Sequence, residues 1–324
     1  MLTTRRQILS FSLASLFAGG AHASAFSSSS PPIKFIIPAP PGGPADLMAR
    51  AMIPTMSAEL NGNPIIVDNK PGGATVLGAS LVAKAPSDGF TLLLTINATH
   101  TQVPHLLAKI PYDPFKDFTP ISQLFRSGVV VCAQKGLQAK DLRELVTLSQ
   151  SSPVTAASAG IGTTGHLYIE MLNSIYGAKL IHIPYKGATE GQRDLQAGIV
   201  QVYFDSVSSA IPFIKADKVK ALAVTGIKRL EVLPDVPSVV ELGLDALNIS
   251  GWFGVFGPGN MPDSVVAALN KAIRAAVQSP QVVRQFAPLG VELTGTTASE
   301  FSATVRKDHA AWGEVIKKAS IKID

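Results

Sequence analysis

Charge is scarce in this chain of 324 residues: only 16% are Asp, Glu, Lys or Arg, with 28 basic residues against 23 acidic. That excess of five is mild and forms no basic block, which argues against nucleic acid as a partner. Cysteine is nearly absent. The single Cys132 excludes a disulfide scaffold, and its place in Val129-Val130-Val131-Cys132 marks a small core residue. Beyond the first two dozen positions there is no apolar run of about 20 residues, so a polytopic membrane protein is excluded. Catalytic signatures are missing too. There is no G-x-S-x-G elbow, no H-E-x-x-H and no C-x-x-C. Nothing requires a metal or cofactor, and an enzyme is not expected. What is present is apolar content: 46% of the residues are hydrophobic, which excludes disorder. The length suits two lobes of about 100–200 residues each. If such a protein binds an anion, it has few side-chain cations with which to do so.

The N-terminus reads as an address. Arg5 and Arg6 precede the apolar stretch Ile8–Ala18, which is too short to span a bilayer, and Ala21-His22-Ala23 is a cleavage signal. Residues 1–23 are therefore expected to be a signal peptide, with residues 24–32 as a flexible leader. Thr4-Arg5-Arg6-Gln7-Ile8-Leu9 resembles a twin-arginine signal and is also compatible with the general secretory route. Removal of residues 1–23 lowers the net charge from +5 to +3.

From residue 33, short β-branched runs alternate with helical stretches, which predicts βαβ units. Strands are expected at 33–38, 65–68 and 92–96, with helices at 45–60 (Pro54 as a kink) and 74–84. A second series has strands at 154–158, 180–184, 200–204 and 220–225 between helices at 142–149, 165–176, 188–197 and 207–215. The last third predicts a strand at 249–256 and helices at 263–278 and 298–319. Phe301, Val305, His309, Trp312 and Ile316 form an apolar stripe on the final helix. The strands at 128–133 and 249–256 are the expected crossovers. The domain expectation is a first lobe from 33–130 and 251–324, with a second lobe, 131–250, inserted. Open α/β sheets bind ligands at the carboxyl ends of their strands, which places the site in the cleft between lobes.

Four strand-to-helix loops carry polar or glycine-rich sequence. Pro40-Pro41-Gly42-Gly43-Pro44-Ala45-Asp46 offers backbone N–H groups at a helix N-terminus, with Asp46 placed to cap it. Ser158-Ala159-Gly160-Ile161-Gly162-Thr163-Thr164-Gly165-His166 matches G-x-G-x-x-G. A dinucleotide site would need an acid about 20 residues on, where Tyr185 and Lys186 stand, so the loop reads as a general anion cradle. Asp205, in Phe204-Asp205-Ser206, reads either as a ligand contact or as a helix cap. Asn97-Ala98-Thr99-His100 reads either as a cleft edge or as a simple turn.

Ten ordered stretches together resemble the receptors of tripartite tricarboxylate transporters, of the TctC or Bug type. They include PAPPGGPADLMAR at 38–50, VDNKPGG at 67–73, APSDGFTLLL at 85–94 and PYDPFKDFTPIS at 111–122. Others are SAGIGTTGHL at 158–167, HIPYKGA at 182–188, FDSVSSAIPFIKA at 204–216 and WFGVFGPG at 252–259. The resemblance implies an α/β, two-lobed type II periplasmic-binding (Venus-flytrap) fold, with two mixed, mainly parallel sheets joined by two crossover strands. It implies a monomeric periplasmic receptor, not an enzyme, that delivers a dicarboxylate, amino acid or aromatic acid to membrane permease subunits. Carried over, the first loop gives Pro41, Gly42, Gly43, Pro44, Ala45 and Asp46 as ligand-binding residues. The second gives Ala159, Gly160, Gly162, Thr163, Thr164, Gly165 and His166. Asp205 is implied to select the far end of the ligand, suiting a hydroxyl, an amine or a protonated second acid. Asn97 and Thr99 are expected at the cleft edge, where this chain has Ile96-Asn97-Ala98-Thr99 in place of Thr-Ser-Gly-Thr. The rival readings are a ligand-occupancy sensor and, more remotely, an exported hydrolase.

Overall fold

The structure is a computed structural model that describes residues 26–321. The expected signal peptide, 1–23, lies outside the described residues.

The first lobe is built on β1 (Ile33–Ile37), α1 (Pro44–Glu59), β2 (Ile65–Asn69), α2 (Val76–Ala83) and β3 (Thr91–Ile96). Two short helices, α3 (Ala98–Thr101) and α4 (Val103–Leu106), lead to β4 (Phe118–Ser127). The second lobe contains β5 (Val129–Ala133), α5 (Leu142–Ser151), β6 (Val154–Ser158), α6 (Thr164–Tyr176) and β7 (Leu180–Pro184). It continues through α7 (Ala188–Gln196), β8 (Val202–Ser206), α8 (Val207–Lys215) and β9 (Lys220–Val224). The chain then returns through β10 (Gly251–Pro258), α9 (Asp263–Val277), α10 (Pro280–Phe286), β11 (Glu292–Leu293) and α11 (Ala298–Lys318).

Two mixed sheets result, ordered β11-β4-β10-β3-β1-β2 and β7-β6-β8-β5-β9. In each, the βα units supply parallel pairs and the crossover strands supply antiparallel ones. This is the bilobed type II arrangement. Alternate side chains fill cores on both faces, as sheets covered by helices on both sides require. Phe35 and Ile37 face α1 and α9, and Ile36 faces α2 and α11. In the second sheet, Val129 and Val131 face one core while Val130 and Cys132 face the other.

Several details depart from expectation. Residues 26–32, within the expected leader, are held on the first lobe at three points. Phe26 is buried edge-on against Phe90, and Asn63 binds Ser27 N–H and the Pro31 carbonyl. Strand β4, α10 and β11 were not expected. The passage between sheets falls at Gly128, where a Cβ would come 2.8 Å from Thr225 Oγ1, so only glycine fits there without displacement. Helix α11 belongs to both lobes. Phe301 and Val305 pack in the first, while Trp312 and Ile316 pack in the second-lobe core.

Candidate functional site

A cavity of about 140 Å³ opens between the lobes at the carboxyl ends of the strands. Its volume is close to the ~150 Å³ that accommodates a benzene ring in an engineered cavity. Both lobes wall it. The first contributes Ile37–Pro40, Gly43–Ala45, Thr75 and Leu94–Asn97, and the second contributes Ala159, Thr163–Gly165, Lys186–Thr189 and Phe204–Ser206. The crossover segments Ser127–Val129 and Gly251–Phe253 close it at the hinge. Among the described residues lining it, only Lys186 and Asp205 carry charge, and Lys186 is exposed.

The N-termini of α1, α6 and α7 converge on this space, and none is capped by a side chain. The first N–H groups of a helix have no intrahelical partner and carry a partial positive charge. Pro44 has no N–H, so the first donors that α1 offers are those of Ala45 and Asp46. Three uncapped helix ends therefore supply what the sparse charge does not, a field suited to an anion.

Of the residues picked out in the first loop, Gly43, Pro44 and Ala45 line the cavity, and Pro41, Gly42 and Asp46 do not. Asp46 is buried and does not cap α1. Its carboxylate accepts from Gly42 N–H at 2.9 Å and from Arg50 Nε and Nη2 at 3.0 Å each. Burial pushes its pKa up, but the Arg50 guanidinium and the Gly42 N–H outweigh that and hold it below the usual value. Asp46 braces the loop.

In the second loop, Ala159, Thr163, Thr164 and Gly165 line the cavity, and Gly160, Gly162 and His166 lie behind it. Gly160 (φ 136°) makes a turn where a Cβ would come 2.9 Å from the Tyr185 carbonyl, and its own carbonyl accepts from Thr163 Oγ1 at 2.7 Å. The Gly162 N–H donates to His166 Nδ1 at 3.1 Å. His166 stacks on His182 with ring centroids 4.1 Å apart, and Ser158 Oγ bonds His182 Nε2 at 2.7 Å. Burial depresses the pKa of His166 to about 4, and burial together with His166 takes His182 to about 3. Both rings are neutral supports for the loop. Gly165 lets α6 rest on β8, since a Cβ there would meet the Phe204 carbonyl at 2.4 Å.

Asp205 lines the cavity but is not the cap of α8. Ser206 takes that position and accepts from Ser209 N–H. The Asp205 carboxylate accepts from Gln192 Nε2 at 2.7 Å and from Ser206 N–H at 2.8 Å. Burial raises its pKa to about 6, against the pull of those donors. Asn97 lines the cavity and donates to Thr164 Oγ1 at 3.3 Å, and Gln102 Nε2 donates to the same oxygen at 2.9 Å. These two bonds join the lobes. Thr99 is fully buried one layer back, bonded to Thr75 and Thr95.

Sequence reasoning missed Thr75, the Lys186–Thr189 loop and the hinge residues. A signal existed for the third loop, because Tyr185-Lys186-Gly187-Ala188 is another glycine turn between a strand and a helix.

Comparisons with known proteins agree on one family. The model of the tripartite tricarboxylate transporter family receptor matches residues 48–321. A protein of Pseudomonas sp. strain P51, from the tcbD-tcbE intergenic region, is 35% identical over 289 residues, covering 88% of this chain and 85% of that protein. A solved structure described as a periplasmic transporter superposes with a TM-score of 0.87 at 32% identity, covering 91% of this chain and 99% of its own. MatC from Rhodopseudomonas palustris, with bound malate, gives 0.84 at 30% identity, covering 88% of this chain and 98% of that one.

Proposed function

The chain belongs to the tripartite tricarboxylate transporter receptor family, and from that premise we propose that it is a periplasmic receptor that holds one small carboxylate between its lobes. It passes the acid to membrane permease subunits and performs no chemistry on it. The observation that carries this reading is the convergence of three uncapped helix N-termini on one interlobe cavity. Backbone N–H groups of α1 and α6, with the Thr164 hydroxyl, take the carboxylate; the Thr163 hydroxyl is already given to the Gly160 carbonyl. Such neutral, preset donors bind an anion with little reorganisation, and they spare the receptor a buried ion pair that would hinder release. Residues 1–23 are the cleavable export signal, by the secretory or the twin-arginine route.

The body of the ligand meets Ala39, Pro40, Ile96 and Phe253, so a compact and largely apolar acid fits the walls. Asp205 faces the rest of it. A hydroxyl or ammonium donates to its carboxylate, and a second acid group binds when one of the two carboxyls is protonated. Contacts made to both lobes favour the closed form over the open one, since a ligand shifts an equilibrium only by its differential affinity for the two states.

The test is a thermal-shift screen of residues 24–324 against small carboxylates, neutral sugars and divalent metal ions. A ligand at 100-fold excess over its Kd stabilises by about 2.7 kcal/mol. A shift produced by carboxylates supports the reading, and a shift produced only by sugars or metals overturns it.

A further inference from the structure

Thr75 stands at the N-cap of α2, yet its side chain makes no capping bond. An N-cap threonine ordinarily has extended backbone and turns its hydroxyl onto the helix's own N–H groups. Here the backbone is left-handed, with φ +72° at Thr75 following φ +52° at Ala74. For a β-branched residue that conformation is costly and rare, and strain of this kind persists only where the surrounding structure enforces it. The cavity wall includes Thr75. The strained turn also touches the other lobe, because a Cβ at Gly162 would come 3.9 Å from Ala74 Cβ.

The hydrogen bonds behind Thr75 have a fixed direction. Thr99 Oγ1 donates to Thr75 Oγ1 at 2.8 Å. A hydroxyl has one proton to give. Thr99 has therefore spent its own, and in the 2.6 Å contact between Thr95 and Thr99 the donor must be Thr95. The order is Thr95 to Thr99 to Thr75, from β3 through α3 to the turn before α2. At its end Thr75 accepts, and no acceptor among the described residues takes its own proton, while the residue itself lines the cavity.

We propose that Thr75 is a specificity-determining contact of the first lobe, donating its hydroxyl proton to an acceptor oxygen of the bound carboxylate, with Thr99 and Thr95 as positioning residues behind it. The proposal rests on the receptor reading above. It gives the ligand an oxygen acceptor on the α2 side of the cavity. It also explains why a strained turn is kept at this point: the left-handed backbone takes the hydroxyl away from the helix and turns it toward the cleft.

The experiment measures affinity by calorimetry, and melting temperature without ligand, for four variants of residues 24–324. The probes are small mono- and dicarboxylates including acetate, benzoate, L-malate and adipate. Thr75→Val keeps shape and β-branching and removes only the hydroxyl, so it should weaken the best probe roughly 10- to 100-fold, as for a hydrogen bond to a charged group. Thr75→Ser should stay within about threefold, because the donor remains. Thr75→Gly should raise the melting temperature, by releasing the strained backbone, and still lose affinity. Thr99→Val should weaken binding less than Thr75→Val does, because it frees the Thr75 hydroxyl without removing it. A Thr75→Val protein that binds as tightly as the unsubstituted one overturns the proposal and leaves the receptor reading standing. If no carboxylate binds the unsubstituted protein, the receptor reading fails and this proposal fails with it.

Discussion

Gly187 of the second lobe lies against Pro40 of the first, so closely that a Cβ on Gly187 would come within 2.5 Å of the proline Cδ. Its φ of 169° is extended backbone that any residue adopts. A methyl group there acts as a wedge between lobes and disturbs neither core. Gly187→Ala should therefore keep its melting temperature without ligand and lose at least about tenfold in carboxylate affinity, the order expected when overpacking opposes one state by 1–3 kcal/mol. Small-angle scattering should show a larger radius of gyration for the variant in the presence of ligand. Unchanged affinity would mean that the Pro40–Gly187 contact is not part of the bound state.

Asp205 is a buried carboxyl with no cationic partner among the described residues. Its folded-state pKa of about 6 lies above the usual 3.8, so the folded protein takes up a proton that the unfolded chain does not. Stability from this group is present at low pH and is lost as pH rises from about 4 to about 6, by up to about 3 kcal/mol. Asp205→Asn should keep or raise the melting temperature at pH 7, because it removes that cost. It should also shift preference from amine-bearing acids toward diacids. A collapsed melting transition would instead make the carboxylate a structural requirement of the β8–α8 turn.

Three histidines, His100 and His166 buried and His182 half-buried, act in the opposite direction. Burial, aided by His309, takes His100 to about 3, and neither of its ring nitrogens has a hydrogen-bond partner. His166 and His182 lie at about 4 and about 3. Each folded pKa is depressed, so stability is full above the ordinary 6.5 and falls as pH drops toward the folded value. Each group costs about 1.4 kcal/mol per pH unit within that window. Three such groups outweigh one aspartate, and the melting temperature should fall steeply from pH 6.5 to 4.5. His100 stacks on Phe256 at 3.8 Å, so His100→Phe keeps an aromatic ring there. It should flatten the fall by about one histidine's share. An unchanged pH profile would remove His100 from this account.

Asp46→Ala removes the acceptor that holds Gly42 N–H and Arg50. The Arg50 side chain is 54% exposed and regains water, so the variant should fold. The first loop should loosen, which predicts faster hydrogen exchange at Gly42 and an affinity loss of up to roughly 10-fold, less than a direct charged hydrogen bond to the ligand would give. Equal exchange and equal affinity would show that the loop holds its shape without the carboxylate.

The βα order was legible because short apolar runs such as Ile33–Ile37 and Val154–Ser158 stand between a Ser/Pro stretch and a glycine-rich loop. The strand β4 was not, because Pro120, Ser122 and Gln123 interrupt its apolar pattern. Those two polar side chains are buried against Thr294 and Thr296, more than 170 residues away in the sequence. The glycine-rich loops were visible, but not which of their glycines shape the turn (Gly42, Gly160, Gly162) and which face the cavity (Gly43, Gly165). That division depends on backbone direction. Asp205 was placed at the cleft, while its role as a cap belonged to its neighbour Ser206. Thr75 was invisible because a left-handed threonine leaves no mark in sequence, and the hinge wall because Ser127–Val129 and Gly251–Phe253 meet only in the fold.

A crystal structure with the carboxylate that gives the largest thermal shift measures the central claim most directly. The ligand should lie between the lobes, its carboxylate oxygens on N–H groups of α1 and α6 and on the Thr164 hydroxyl. A carboxylate held by Lys186 alone, or bound outside the cleft, would contradict the account.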